Sequence, residues 1–189
     1  MVDDDGDRQR LFIGIPLTDE VRERNVSTIR KLDDVLEGVR WVLPENLHVT
    51  LKFLGDCESS MLGGLKNAIE QASAYLPLEL TIGGVGGFPS QGSARIIWVG
   101  AAEKTGALQS VFETVERGVK KCGIDKERRR YRPHVTIGRA RRSSVALPND
   151  ASGLYQEGPM AVDELLLYSS VLSGGPPEYR IIGRAHSAR

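Results

Sequence analysis

The chain has little of what most often announces a function. It has only two cysteines in 189 residues, and Cys57 and Cys122 fall in no C-x-x-C or zinc-type spacing. That argues against a disulfide framework and a cysteine-held metal, and two thiols of this kind are expected to stay reduced in a cytoplasmic protein. Neither charge is in excess: 25 lysines and arginines balance 25 aspartates and glutamates. A protein that grips duplex nucleic acid by bulk positive charge is excluded, so any contact with a polyanion must be local. No apolar run approaches bilayer length, and the opening Met1–Arg10 is Asp-rich, without the apolar centre of a signal peptide. The expectation is a monomer with no membrane partner: a disordered tail over residues 1–9 and one domain over 10–189, long enough to bury a substantial core.

Histidine is equally scarce, with three in the chain, yet two of them stand in matching contexts. His48-Val49-Thr50-Leu51 and His134-Val135-Thr136-Ile137 lie one in each half of the sequence, each inside a strand-like run. The third, His186, sits among small and polar residues and reads as a solvated side chain without a role. Side chains of a strand alternate between faces, so His48, Thr50 and Lys52 are expected on one face and Leu47, Val49, Leu51 and Phe53 on the other. In the second copy His134, Thr136 and Gly138 share a face, with Gly138 leaving room for a ligand. Two imidazoles and two hydroxyls lining one cleft suit a phosphate. One neutral imidazole takes a proton from attacking water, a second, charged one protonates the leaving oxygen, and the hydroxyls serve the non-bridging oxygens. No H-E-x-x-H, paired-Asp motif or cysteine cluster is present to hold an ion, so neither metal nor cofactor is expected.

Around these motifs the halves echo each other. Leu11–Leu17 reads as a strand and Thr18 as the cap of a helix carrying Val21, Ile29, Leu32 and Leu36. A short strand over 39–43 leads to the strand Leu47–Leu54, closed by a turn at Gly55-Asp56, and a helix from about Ser59 to Tyr75 follows. In the second half, strands over 78–85 and 94–99 flank a loop at Gly86–Gly92. A helix with Leu108, Val111, Phe112, Val115 and Val119 precedes the strand Pro133–Ala140, then strands over 162–171 and 179–183 joined by a turn at Ser173–Pro177. The fold class this predicts is α+β and bilobal. Each of the two lobes is expected to carry an antiparallel sheet and helices as one copy of a duplicated unit. The glycine-rich Gly83–Gly87 lacks P-loop spacing and reads as a strand exit or hairpin.

A local basic patch surrounds the second motif: Lys126, Arg128, Arg129, Arg130 and Arg132 before it, and Arg139, Arg141 and Arg142 after it. Arg130 and Arg132, nearest His134 in sequence, are the favoured contacts to an RNA backbone, against the plainer reading of a solvated loop. Tyr131 and Phe53 are candidate stacking platforms for a base, against the plainer reading of core aromatics.

Together these segments resemble the 2H phosphoesterases, and within them the RNA 2′,3′-cyclic phosphodiesterases once named 2′-5′ RNA ligases. The resemblance runs through Arg10–Ile15, Pro44–Gly55, Arg95–Gly100, Arg132–Ala140 and Leu167–Ser170. It implies that the two lobes are related by a pseudo-twofold axis with the cleft between them, and that His48 is the proton donor, His134 the proton acceptor, and Thr50 and Thr136 the phosphate contacts. It also implies hydrolysis of a 2′,3′-cyclic phosphate at an RNA 3′ terminus to a 2′-phosphomonoester, without metal. Arg95 matches a basic position of the family, and Lys52 is a further substrate-binding candidate, each against the plainer role of an ordinary ion pair. The alternatives are the same chemistry on a small cyclic nucleotide or a 2′-5′-linked oligonucleotide, ligation in reverse, or an RNA-binding module without catalysis.

Overall fold

The computed structural model describes residues 8–172 and 174–187. In chain order these form β1 (Arg8–Pro16), α1 (Asp19–Asp33), β2 (Val39–Trp41), β3 (His48–Glu58), α2 (Leu62–Ala72), β4 (Leu78–Ser90), β5 (Ser93–Ala102), α3 (Ala107–Lys121), β6 (His134–Ala140), β7 (Gly158–Val162), β8 (Glu164–Val171) and β9 (Glu178–His186). Of the tail expected over 1–9, residues 1–7 lie outside the described residues, while Arg8 and Gln9 already pair with Glu58 and Cys57. Ser173, at the start of the expected turn, also lies outside them.

Local sequence explains most of the elements. Thr18 caps α1 by accepting a hydrogen bond from the Val21 amide, with Asp19 and Glu20 in the first turn and Arg30 and Lys31 in the last, a charge order that suits the helix dipole. Leu65, Ala68, Ile69 and Ala72 form the buried stripe of α2. Val111, Val115 and Val119 do the same in α3, where Gly118 lets the two helices approach: a Cβ there would lie 2.4 Å from that of Ala68.

Three expectations change. β3 does not stop at Gly55-Asp56 but continues to Glu58, with Gly55 absorbing a left-handed φ of 76° at an irregularity in its pairing with β1. The expected loop at 86–92 shrinks to a tight turn, because β4 and β5 stay paired as far as Ser90 and Ser93. The apolar run 162–171 is two strands rather than one. Asp163 separates β7, which pairs with β4, from β8, which pairs with β1, so one stretch serves distant parts of the sheet.

Where the sequence predicts a separate sheet in each lobe, all strands join one antiparallel sheet in the order β7-β4-β5-β6-β3-β1-β8-β9, with β2 also on β6. The two histidine strands are its middle. They meet through a single pair, Val49 with Val135. Four strands of the main order lie on each side of that junction, β7-β4-β5-β6 and β3-β1-β8-β9, and the helices cross over: α3 contacts β3, and α1 contacts β6. One face of the sheet and the helices share a continuous core that includes Ile13, Ile15, Val49, Leu51, Ile97, Val99, Val135 and Ile137, together with Leu65, Ile69, Val111 and Val115. Burying side chains of this size contributes about 1.5–3 kcal/mol each. The opposite face carries a separate cluster of Phe12, Leu166 and Tyr168, with Tyr179 packed against it, and this face holds the cleft.

Candidate active site

The Val49–Val135 pair sets the geometry. Extending its antiparallel register by one residue in each direction sets His48 across from Thr136 and Thr50 across from His134. Both imidazoles and both hydroxyls therefore stand on one face around a local twofold. His48, Thr50 and Thr136 line a cleft of about 140 Å³ with Trp41, Phe53, Arg139, Pro176, Pro177 and Tyr179 among its other walls.

Each ring is oriented by a carbonyl two residues upstream. His48 Nδ1 donates to Asn46 O at 2.8 Å, and His134 Nδ1 donates to Arg132 O at 2.6 Å. In both rings Nε2 is thus the nitrogen left for chemistry. The Thr50 hydroxyl donates to His48 Nε2 at 2.9 Å. His48 is also packed from several sides: Phe12 stacks on it at 4.7 Å, Tyr179 meets it edge-on at 5.5 Å, and Tyr168 backs Phe12 at 4.7 Å. Gly14 completes this wall, because a Cβ there would come within 3.2 Å of the His48 ring and 3.0 Å of Val49 O. Around His134 the neighbours are Phe88, edge-on at 5.2 Å, and Trp98 at 6.3 Å. Gly86 of the glycine-rich segment makes room for the Trp98 indole.

Electrostatics separates the two imidazoles. Burial lowers His48 to about 4, against the opposing pull of the Asn46 carbonyl and with help from the charges of His134 and Arg139. His134 is lowered as well, first by burial and then by Arg139, with the Arg132 carbonyl opposing. In the free protein both rings are therefore neutral at neutral pH, and His48 resists protonation more.

A β-bulge decides which further residues reach the cleft. Ile13 of β1 pairs with Lys52 but Gly14 pairs with Thr50, so Leu51 is an extra residue on β3. The second copy does the same: Ile97 pairs with Gly138 and Trp98 with Thr136, leaving Ile137 extra on β6. After each bulge the facing reverses. Phe53, expected on the core face, is 67% exposed and lines the cleft. Lys52, expected beside His48 and Thr50, turns to the helix side, where it is buried. Its Nζ lies 2.8 Å from Glu116 Oε1 and donates to Asp125 O at 2.8 Å. Gly138 likewise leaves the cleft face, and the room above it is filled by Trp41 and Val39.

The other predicted residues are placed apart from the cleft. Tyr131 stacks on Phe112 at 4.3 Å and donates its hydroxyl to Thr50 O at 3.2 Å, so it braces β3 rather than offering a free ring face. Arg130 and Arg132 are exposed and Arg95 is exposed on an irregular stretch of β5, none of them lining the cleft. The cations that do line it are Arg139 and Arg40, and Arg139 is the one on a histidine strand. Its signal was available in the sequence, since it stands five residues after His134, as Phe53 stands five after His48. Tyr179, Asn46 and the Pro176-Pro177 wall had no signal of that kind. His186 lies outside the cleft, 3.8 Å from Glu164, and Cys57 and Cys122 are free thiols.

The sequence model described as the 2′-5′ RNA ligase superfamily matches residues 18–172. The chain belongs to that superfamily. Among curated relatives, the RNA 2′,3′-cyclic phosphodiesterase of Archaeoglobus fulgidus is 31% identical over 173 residues, covering 90% of this chain and 96% of its own length. The protein of the same name from Aquifex aeolicus is 30% identical over 178 residues, covering 92% and 94%. Among solved structures, a Thermus thermophilus protein superposes with a TM-score of 0.81 at 25% identity, over 94% of this chain and 97% of its own. E. coli LigT in complex with ATP superposes with a TM-score of 0.75 at 25% identity, over 96% and 99%. The α+β fold with an antiparallel sheet, expected from the sequence, is present in this member. No helix among the described residues is long and apolar enough to cross a membrane.

Proposed function

We propose that this superfamily member hydrolyses the 2′,3′-cyclic phosphate at RNA 3′ ends to a 2′-phosphomonoester, by acid–base catalysis between His48 and His134. The observation that carries this reading is the strand register at the Val49–Val135 junction, which sets His48, Thr50, His134 and Thr136 on one face, with Arg139 lining the cleft beside His48, Thr50 and Thr136. The relatives named above as RNA 2′,3′-cyclic phosphodiesterases support it. His134 Nε2 takes a proton from water as its oxygen bonds to phosphorus; the bond from phosphorus to the 3′ oxygen breaks, and His48 Nε2 protonates that oxygen. The family roles require His48 to gain its proton before it acts as the acid. The bound phosphate anion favours that uptake by opposing the desolvation and the Arg139 charge that keep the ring neutral.

Thr50, Thr136 and Arg139 are assigned to the non-bridging oxygens, where charge builds in the transition state. Phe53, exposed at the mouth, is assigned to stacking of the terminal base. The chemistry is assigned to these side chains alone, without a metal, as the EDTA arm of the assay below tests.

The test is an EDTA-treated assay of a short RNA ending in a 2′,3′-cyclic phosphate, with the 2′- and 3′-phosphate products resolved. His48→Ala and His134→Ala are each expected to remove at least about a thousandfold of the turnover while circular dichroism is retained. A metal requirement, a 3′-phosphate product or an active His134→Ala variant would overturn the assignment.

A further inference from the structure

Two arginines face each other on one wall of the cleft. Arg40 of β2 is the Cα partner of Arg139 of β6. The hydrogen bonds Arg141 N to Gly38 O and Val42 N to Ile137 O bracket this pair in regular antiparallel register. Residues directly opposite in such a ladder project from the same face with Cβ atoms about 5 Å apart, and like charges so placed repel. Both side chains line the cleft. Four described arginines find carboxylates, Arg8 with Glu58, Arg22 with Asp19, Arg180 with Glu178 and Arg184 with Glu164, and what sets Arg40 and Arg139 apart from the remaining unpaired ones is that they stand opposite each other on the cleft wall. Among the described residues no ion pair neutralises Arg40 or Arg139. A repulsive pair kept without a counter-charge, in a chain of zero formal net charge, is a site for anions.

The charges can be counted against the substrate class. A 2′,3′-cyclic phosphodiester carries one negative charge, and Arg139 is placed to answer it, since its own charge acts on both histidine rings. Arg40, one strand further from the junction of β3 and β6, is left for a second anion. In an RNA chain the next anion is the phosphodiester on the 5′ side of the terminal nucleotide. Leu43, 40% exposed at the cleft mouth, and Phe53 give that nucleoside apolar surface near the two guanidinium groups.

We propose that Arg40 binds the phosphodiester immediately 5′ of the terminal nucleotide, making this site selective for RNA ends over cyclic mononucleotides. This rests on the reading of the cleft as a cyclic phosphodiesterase site. It places the first backbone contact on β2 rather than on the arginine-rich segment before His134.

The experiment compares a nucleoside 2′,3′-cyclic phosphate bearing a free 5′ hydroxyl with a dinucleotide ending in the same group, for the wild type, Arg40→Gln and Arg40→Lys. The wild type should prefer the dinucleotide. Arg40→Gln should lose about tenfold in kcat/KM on the dinucleotide, mostly through KM, with a loss at least about fivefold smaller on the mononucleotide. The salt dependence of dinucleotide binding should flatten by about 0.7 in log–log slope, the value for one phosphate contact on a single strand, and Arg40→Lys should restore most of both effects. Equal losses on the two substrates, or no loss on the dinucleotide, would overturn the proposal. Calorimetric titration of both ligands into His134→Ala with and without Arg40→Gln reads the same selectivity without turnover. If the wild type hydrolyses neither substrate, Arg40-dependent preference for the dinucleotide in that titration would uphold the subsite while the proposed reaction falls. Its absence would remove both.

Discussion

Between pH 6.5 and about 4 the folded protein should lose stability through His48 in particular. Burial lowers this ring from its ordinary 6.5 to about 4, the Asn46 carbonyl pulling the other way and the charges of His134 and Arg139 adding to the drop. An unfolded chain therefore accepts a proton on His48 that the folded chain refuses. Above 6.5 neither state carries that proton and there is no penalty. As the pH falls, the unfolded state binds more protons than the folded one, so stability falls with it, and the loss levels off near pH 4 when the folded ring also protonates. A difference of about 2.5 units at 1.36 kcal/mol each gives a full penalty of about 3 kcal/mol.

The perturbation is His48→Gln, which keeps a neutral donor for the Asn46 carbonyl and cannot titrate. Urea unfolding at about pH 7 and about pH 4.5 gives the stability change for each protein, and the wild type should lose about 2–3 kcal/mol more than the variant over that interval. His134 and the carboxylates are common to both proteins and cancel in the comparison. Parallel pH dependences would refute the account, because they would mean the His48 ring is not held neutral by its surroundings.

Two further predictions concern charged groups in and beneath the site. Lys52→Met leaves Glu116 buried without its cation and should cost about 3–5 kcal/mol in urea unfolding, whereas pairing it with Glu116→Leu should recover much of that loss. If the single and double variants are equally unstable, the pair is not what holds β3 to α3. Arg139→Gln should raise the pKa of both His48 and His134, since the arginine's positive charge lowers each. Histidine ring resonances followed by NMR through a pH titration should move their midpoints upward together, and unmoved midpoints would place Arg139 outside electrostatic reach of the rings.

The histidine strands and the helices were legible because their signals are local. A repeated tetrapeptide with period-two apolar neighbours marks the strands, and Thr18 with its acidic first turn marks where α1 begins. The joining of all strands into one sheet was not legible, because it depends on the single Val49–Val135 bridge, and nothing in either strand alone states its partner. The split at Asp163 was hidden for a similar reason: β7 and β8 are both apolar, and only their partners, β4 and β1, differ. Sequence proximity also misled the choice of arginine. Arg132, two residues before His134, contributes its carbonyl to the ring while its side chain stays outside the cleft.

The bulges explain the largest error and much of the site. Strict alternation from His48 sends Lys52 into the cleft and Phe53 into the core, yet one extra residue at Leu51 exchanges them. A trace of this exists in the sequence: the apolar residues that turn out buried run Leu47, Val49, Leu51 and then Leu54, so their spacing widens from two to three where the bulge falls. The same slip at Ile137 brings Arg139 to the face of His134 and Thr136. Each half thus presents its histidine, its threonine two residues on, and the residue five on. The first two positions are identical in the halves and suit a phosphorus centre approached from opposite sides. The third is not: it is an aromatic ring, Phe53, on one side and a guanidinium, Arg139, on the other. A nucleotide is unsymmetrical in the same sense, with a flat base at one end of the sugar and an anion at the other. In the proposed reaction the symmetric histidines supply the proton transfers and the symmetric threonines the phosphate contacts, while the position after the bulge is the one that would set which way round the substrate lies.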